Sequence, residues 1–251
     1  MQFNRPIVLS VAGMDPSGGA GLLADMKTFE QHRVYGLGIT TAQTVQTERL
    51  FFSIRWEHDE DILTALTKML AHYNVIAVKI GIVQNIQSLH RIVHCIHTMN
   101  TRINIIVDPV IRSTTEFDFW QQTDDKKQLY EALQQVKLIT PNYKEAVQLA
   151  AAPNAKEAAV RLSDFCNVLL KGGHNEEEPG IDYLFMEKTV LKLEPGERTV
   201  YPKHGSGCIL SASIAANLAL SHDLATACRY AKFYTENFLS STHHLLGYHV
   251  S

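Results

Sequence analysis

Ile7-Val8-Leu9-Ser10-Val11-Ala12-Gly13-Met14-Asp15-Pro16-Ser17-Gly18-Gly19-Ala20-Gly21-Leu22-Leu23-Ala24-Asp25 decides how the rest of the chain is read. The apolar run Ile7 to Ala12 ends at Gly13, as a strand buried on both faces does. Asp15-Pro16-Ser17-Gly18-Gly19 carries turn chemistry. From Ala20 to Val34 the residues Leu22, Leu23, Met26 and Phe29 recur at helical spacing. A buried strand, a glycine-rich turn and a helix, in that order, open a βαβ unit.

Outward from this unit the same grammar repeats. Strands are predicted over 36–45, 51–56, 75–81, 103–107, 138–140 and 167–171, with a hairpin of 182–186 and 189–193 around Glu187-Lys188. Helices are predicted over 59–73, started by Asp59, and over 86–99, 124–135, 142–150, 154–165, 206–220 and 224 to about 245. Strands alternating with helices imply an α/β domain with a mostly parallel central sheet and helices on both faces. No long linker or repeat divides the chain, so one domain over 1–251 is expected. Ligands of such sheets bind beyond the carboxyl ends of the strands. Those ends are Gly13, Lys79-Ile80-Gly81, Asp108-Pro109-Val110, Thr140-Pro141-Asn142 and Lys171-Gly172-Gly173.

Composition narrows the function classes. Apolar residues make up 45% of the 251 and charged ones 20%, enough for a substantial core. A net charge of −3 argues against a nucleic-acid surface. No apolar run approaches the roughly 18 residues of a membrane span. Met1 to Pro6 runs straight into a strand-like segment, which reads as no leader. Cys95, Cys166, Cys208 and Cys228 are scattered without a CxxC pair, so a reducing cytoplasm is the expectation.

The second informative stretch is His204-Gly205-Ser206-Gly207-Cys208, which opens a helix of small and apolar residues. Backbone N–H groups and the dipole at a helix start attract anions, and glycines let an anionic oxygen approach. A cysteine in that field has its thiolate favoured. GxxxxGK[ST], GxGxxG at a helix start, GxSxG and HExxH are all missing, so a nucleotide must be held another way. Gly13 to Asp25 suits either an ordinary βα loop or close backbone approach to a small ligand, with Asp25 as acceptor. The amides and hydroxyls of Thr41 to Thr47 suit a neutral heterocycle. Asn142-Tyr143-Lys144-Glu145 is either a helix cap or an amide and carboxylate that position Mg²⁺ through water. Asp108 is a turn residue or a second acid, and Lys171 a strand end or a phosphate ligand. His90, His94 and His97 share a helix, but Leu89, Ile92, Val93 and Ile96 define its core face, so these histidines, like His243, His244 and His249, read as solvated.

Taken in order, the chain resembles the hydroxymethylpyrimidine/phosphomethylpyrimidine kinases of thiamine biosynthesis, a branch of the ribokinase-like superfamily. The carriers are Ala12 to Gly21 with Asp25-Met26-Lys27-Thr28-Phe29, Lys79-Ile80-Gly81, Asp108-Pro109-Val110, Thr140 to Ala146, Lys171-Gly172-Gly173-His174 and His204 to Cys208. The resemblance implies a three-layer αβα ribokinase-like fold and ATP-dependent phosphorylation of 4-amino-5-hydroxymethyl-2-methylpyrimidine and its monophosphate. It implies a pyrimidine site of Gly13, Ala20, Asp25, Gln46, Ile82 and Val110, with Asp25 and Gln46 bonding the ring. Asn142 and Glu145, with Asp108 and Lys171 nearby, would organise Mg²⁺ and the triphosphate. The N–H groups of Gly205, Ser206, Gly207 and Cys208 would form the anion hole, with Cys208 as proton acceptor for the substrate hydroxyl. Most superfamily relatives carry aspartate at that position. The resemblance further implies a homodimer. Ser206 stands where threonine is usual, and Ile111 to Trp120 lacks the usual lysine-serine-glycine character, which bears on the second phosphorylation. The chain also stops at Ser251, short of the family's glycine-rich tail. Pyridoxal/pyridoxine kinase and a non-catalytic pyrimidine-binding protein are the competing readings.

Overall fold

The computed structural model describes residues 5–111, 126–173, 175, 177–187 and 189–249. The strands are β1 Ile7–Met14, β2 Tyr35–Gln46, β3 Phe51–Trp56, β4 Val75–Ile80, β5 Asn104–Val107, β6 Leu138–Ile139, β7 Asn167–Leu170, β8 Asp182–Met186 and β9 Thr189–Leu193. They form a single sheet in the order β3-β2-β1-β4-β5-β6-β7-β8-β9. The stretch from β2 to β7 is parallel, and β3, β8 and β9 add antiparallel edges. The helices are α1 Gly21–Gln31, α2 Asp59–His72, α3 Ile86–Met99, α4 Lys126–Leu133, α5 Tyr143–Ala150, α6 Ala155–Ser163, α7 Ser206–Ala219 and α8 Leu224–Ser240.

Period-two alternation splits the sheet into two cores. Ile7, Leu9, Val11, Val78, Ile80, Ile105, Val107, Ile139, Val168 and Leu170 pack toward the layer of α2 to α6. Val8, Ala77, Ile106, Leu138 and Leu169 face the layer of α1, α7 and α8. The phase carries a consequence for the site. Ser10, Lys79, Asp108, Thr140 and Lys171 lie in step with the second set, so polar groups from five neighbouring strands fall on the face covered by α7. That helix is buried along its length from Ile209 to Ala219, with Ser211, Ala212, Ser213, Ala215 and Ala216 giving it the narrow profile that close packing on β4 and β5 needs. A helix apolar on all sides is buried on all sides.

Most predicted boundaries fall within a few residues of those observed. Three readings need correction. Asp59 lies in the first turn of α2 and the cap position is His58. The last helix ends at Ser240, because the chain turns back: Lys203 Nζ donates to Thr242 O at 2.6 Å and His204 N to Leu245 O at 2.9 Å. His249 is not solvated; its Nδ1 lies 3.0 Å from the Tyr234 hydroxyl, and its ring packs on Phe238. The expectation for 111–120 lies outside the described residues except for the buried Ile111, as do His174 and Lys188. No described helix is long and apolar enough to cross a membrane.

Candidate active site

The β1–α1 turn is shaped by Asp15. Its carboxylate accepts from Ser17 N at 2.9 Å, Ser17 Oγ at 2.8 Å and Ala20 N at 2.9 Å. The helix after it starts with Gly21 at φ +58, where a Cβ would stand 2.3 Å from Gly13 O. Only glycine fits there, and the approach brings both ends of the turn together. Ile82 packs over Gly13, and Ala20 lies against Gly205, so Gly13, Ala20 and Ile82 are drawn to one place; Val110, half-buried, follows Asp108. Gln46 closes β2. Its Nε2 donates to Thr44 Oγ1 at 3.0 Å, and Thr44 Oγ1 donates to Met14 O at 2.8 Å, which fixes the amide by its nitrogen.

Asp25 departs from the prediction. It is fully buried, Lys79 Nζ donates to its two oxygens at 3.0 and 2.8 Å, and Ser10 Oγ donates at 2.5 Å. Asp25 has no exposed surface, and in this arrangement its carboxylate meets Lys79 and Ser10 rather than an open ring site. Lys79 is equally buried. Burial disfavours its charge, but Asp25, with Cys208 and Asp108 behind it, outweighs that penalty and holds the ammonium above its usual range.

A second cation sits at the end of β7. Lys171 Nζ donates to Asp108 Oδ1 at 2.8 Å and lies 3.8 Å from Glu145 Oε2. Asp108 also accepts from Thr140 Oγ1 at 3.2 Å and Ser211 Oγ at 3.3 Å. Burial would raise its carboxyl, but Lys171 and Lys79 hold it below the ordinary range. Lys171 belongs to the mouth of α7: a Cβ on Gly207 would stand 3.3 Å from its Nζ and 3.6 Å from Asp108 Oδ2. The helix starts from Gly205 at φ 77 without a side-chain cap, so the N–H groups of Ser206, Gly207 and Cys208 are left at its end. An ammonium and a bare helix start make one positive pocket, backed by carboxylates.

The α5 cap is fully formed. Asn142 Oδ1 accepts from Glu145 N at 2.9 Å, and Glu145 Oε2 accepts from Asn142 N at 2.7 Å. The capping box fixes both side chains at the start of α5, with one lone pair of the Asn142 amide oxygen taken by Glu145 N. Burial pushes the Glu145 carboxyl up to about 7, with Lys171 opposing and Asp108 reinforcing. Between 4.5, its ordinary value, and about 7 the folded protein holds a proton the unfolded chain has lost, so stability should fall as pH rises. His249, pushed down to about 4 by burial, Lys27 and His32, has the opposite slope below 6.5. The difference between wild type and Glu145→Gln isolates the first effect. Wild-type Tm should fall relative to the variant from pH 4.5 to 7, and parallel curves would contradict the assignment.

Cys208 corrects a further expectation. Burial raises its thiol, Asp25 and Asp108 add to the effect, and Lys79 and Gly21 N–H only partly offset it, leaving it at about 11. At rest it is a thiol rather than a thiolate. Sequence reasoning also missed Asp15, Lys79 and Ser211 as organising residues. The phase of Lys79 with Ser10 was the available signal; those two residues are register partners across β1 and β4.

The chain and its three-layer fold have parallels among known proteins. The phosphomethylpyrimidine kinase family model matches residues 15–251. A hydroxymethylpyrimidine/phosphomethylpyrimidine kinase of Rhizobium meliloti is 34% identical over 95% of this chain and 92% of its own. The structure of a phosphomethylpyrimidine kinase from Clostridium difficile aligns at a TM-score of 0.77 with 27% identity, covering 92% of this chain and 98% of that one. The pyridoxal kinase of Staphylococcus aureus in complex with ADP aligns at 0.84 over 95% of this chain and 89% of its own, with 24% identity, a likeness of fold. The three-layer architecture is therefore ribokinase-like, and the chain belongs to the phosphomethylpyrimidine kinase family.

Proposed function

We propose that this protein transfers the γ-phosphoryl group of ATP to the hydroxymethyl oxygen of 4-amino-5-hydroxymethyl-2-methylpyrimidine, and then phosphorylates the monophosphate. The observation that carries this reading is the convergence of Lys171, Asp108 and Glu145 on the uncapped start of α7, beside the Gly13–Gly21 turn. Phosphoryl transfer needs positioning and charge stabilisation more than covalent help. The ammonium of Lys171 and the N–H groups of Ser206, Gly207 and Cys208 face the charge of the transferring group. The Oε1 of Gln46, whose Nε2 is held by Thr44, would accept from the ring's exocyclic amine. A recess of about 280 Å³ between β9 and α8, lined by Lys192, Glu194, Gly196, Arg229, Phe233 and Glu236, would take the adenine. The recess is tied to the Lys171–Gly173 turn, since Lys232 Nζ and Gly172 N both donate to Asp182.

The residues fit a hydrated Mg²⁺. Glu145 Oε1 takes no hydrogen bond among the described residues, whereas both Asp108 oxygens are engaged, and no cluster of three metal-ligating side chains is present among them. Glu145, with Asp108 behind it, would hold the cation through water, as suits an ion that keeps its waters. When bound there, Mg²⁺ would supply neutralisation of the triphosphate charge.

Cys208 is proposed to accept the hydroxyl proton through its minor thiolate fraction. The rate should therefore rise with pH above neutrality, and Cys208→Ala should lower kcat by about 10²-fold, the low end for general-base catalysis, and flatten that limb. A variant with a normal rate would remove Cys208 from the mechanism. ATP consumption with the pyrimidine, against pyridoxine as competitor, tests the substrate class. Turnover of pyridoxine alone would favour a pyridoxal kinase, and no turnover of either a non-catalytic binder. By family analogy we also propose a cytoplasmic homodimer, the dimer being checked by sedimentation velocity.

A further inference from the structure

His204 and Asp15 stand 189 residues apart, yet His204 Nε2 lies 2.9 Å from Asp15 Oδ2. The two residues are 8% and 1% exposed. The other partners of the Asp15 carboxylate are Ser17 and Ala20, both in the β1–α1 turn. His204 immediately precedes Gly205, where α7 begins. Its Nδ1 is buried with no partner among the described residues, so the contact with Asp15 is the one hydrogen bond that fixes the ring. The surroundings are equally tight. A Cβ on Gly205 would stand 2.1 Å from Gly19 O, and one on Gly19 would meet both His204 Cδ2 and Leu246 Cδ2 within 2.8 Å. The chain after α8 closes the arrangement, since His204 N donates to Leu245 O.

We infer that His204 and Asp15 are a positioning pair for phosphoryl transfer: their hydrogen bond locks the turn that faces the acceptor alcohol against the helix start that faces the phosphates. Neither touches the reacting atoms. With Nε2 donating to the Asp15 carboxylate, the ring's remaining acceptor is Nδ1, which is buried and bonds no polar atom among the described residues. The pair sets the separation between acceptor oxygen and phosphorus. A misplacement of about 1 Å, made away from the chemistry, lowers a rate roughly 10²-fold. This inference rests on the kinase reading given above.

The test uses the full-length chain, with steady-state kinetics for the pyrimidine and ATP, ADP binding by calorimetry, and Tm. His204→Leu should lower kcat about 10²-fold while both KM values and ADP affinity stay close to wild type. His204→Gln, whose amide reaches Asp15 as Nε2 does, should restore most of the rate. Asp15→Asn should mimic His204→Leu, and the two combined should lose little more than either alone, as expected for residues sharing one interaction. Loss of Tm without loss of kcat, additive effects, or failure of His204→Gln to restore the rate would overturn the pairing. If His204→Leu does not fold, Asp15→Asn and His204→Gln carry the same comparison. A wild type that phosphorylates no pyrimidine would overturn the kinase reading and this inference with it. A working wild type with unaffected variants would overturn this inference alone.

Discussion

Lys79→Met should destabilise the protein by about 3–5 kcal/mol, the range for removing one partner of a buried ion pair. Methionine fills a similar volume, so the loss comes from charge rather than from a cavity. Asp25 would keep Ser10 as its single hydrogen-bond donor in a fully buried setting. Removing both charges, as Lys79→Met with Asp25→Leu, should recover much of the loss, because apolar replacements of buried pairs are often near neutral. Urea denaturation read by circular dichroism checks both. A loss under about 1 kcal/mol for the single variant, against the range for such pairs, would mean the pair does not hold α1 to β4.

Lys171→Met is expected to have the largest effect on catalysis. Its ammonium stands beside the mouth of α7, 3.3 Å from where a Cβ on Gly207 would lie. Loss of one preorganised charge aimed at a transition state lowers kcat by about 10²–10³-fold. Stability should suffer less than for Lys79, since Asp108 keeps Thr140 and Ser211 as partners and Lys79 nearby. Single-turnover phosphoryl transfer, compared with the variant's Tm, separates the two effects. A variant within a few-fold of wild type would remove Lys171 from the phosphate site.

The contrast between these lysines shows what was legible before the coordinates. Both stand at strand ends, in Lys79-Ile80-Gly81 and Lys171-Gly172-Gly173, and local sequence does not distinguish them. The difference is made by what lies across the sheet face. Lys79 meets Asp25 from α1, 54 positions away, whereas Lys171 meets Asp108 and the capped Glu145. The succession of strands and helices and the layering were readable because short apolar runs alternate with helical spacing, whereas the strand order was not predicted. The glycines of the first turn and of α7 were readable because close backbone approach leaves no substitute. Asp25 was misread because a carboxylate early in a helix looks the same whether it faces a ligand or a buried ammonium. The end of α8 and the burial of His249 were missed because the fold-back of 241–249 is held by single contacts to Lys203, His204 and Tyr234, which leave no periodic trace.

The central claim is that this site phosphorylates the pyrimidine hydroxymethyl group. The measurement that tests it most directly follows ³²P from [γ-³²P]ATP in the wild-type protein, with the pyrimidine alcohol as acceptor and products resolved by chromatography. Label should appear first in the pyrimidine monophosphate and then in the diphosphate, with both slowed by about 10²–10³-fold in Lys171→Met. Label released only as inorganic phosphate, or incorporated into pyridoxine but not the pyrimidine, would contradict it.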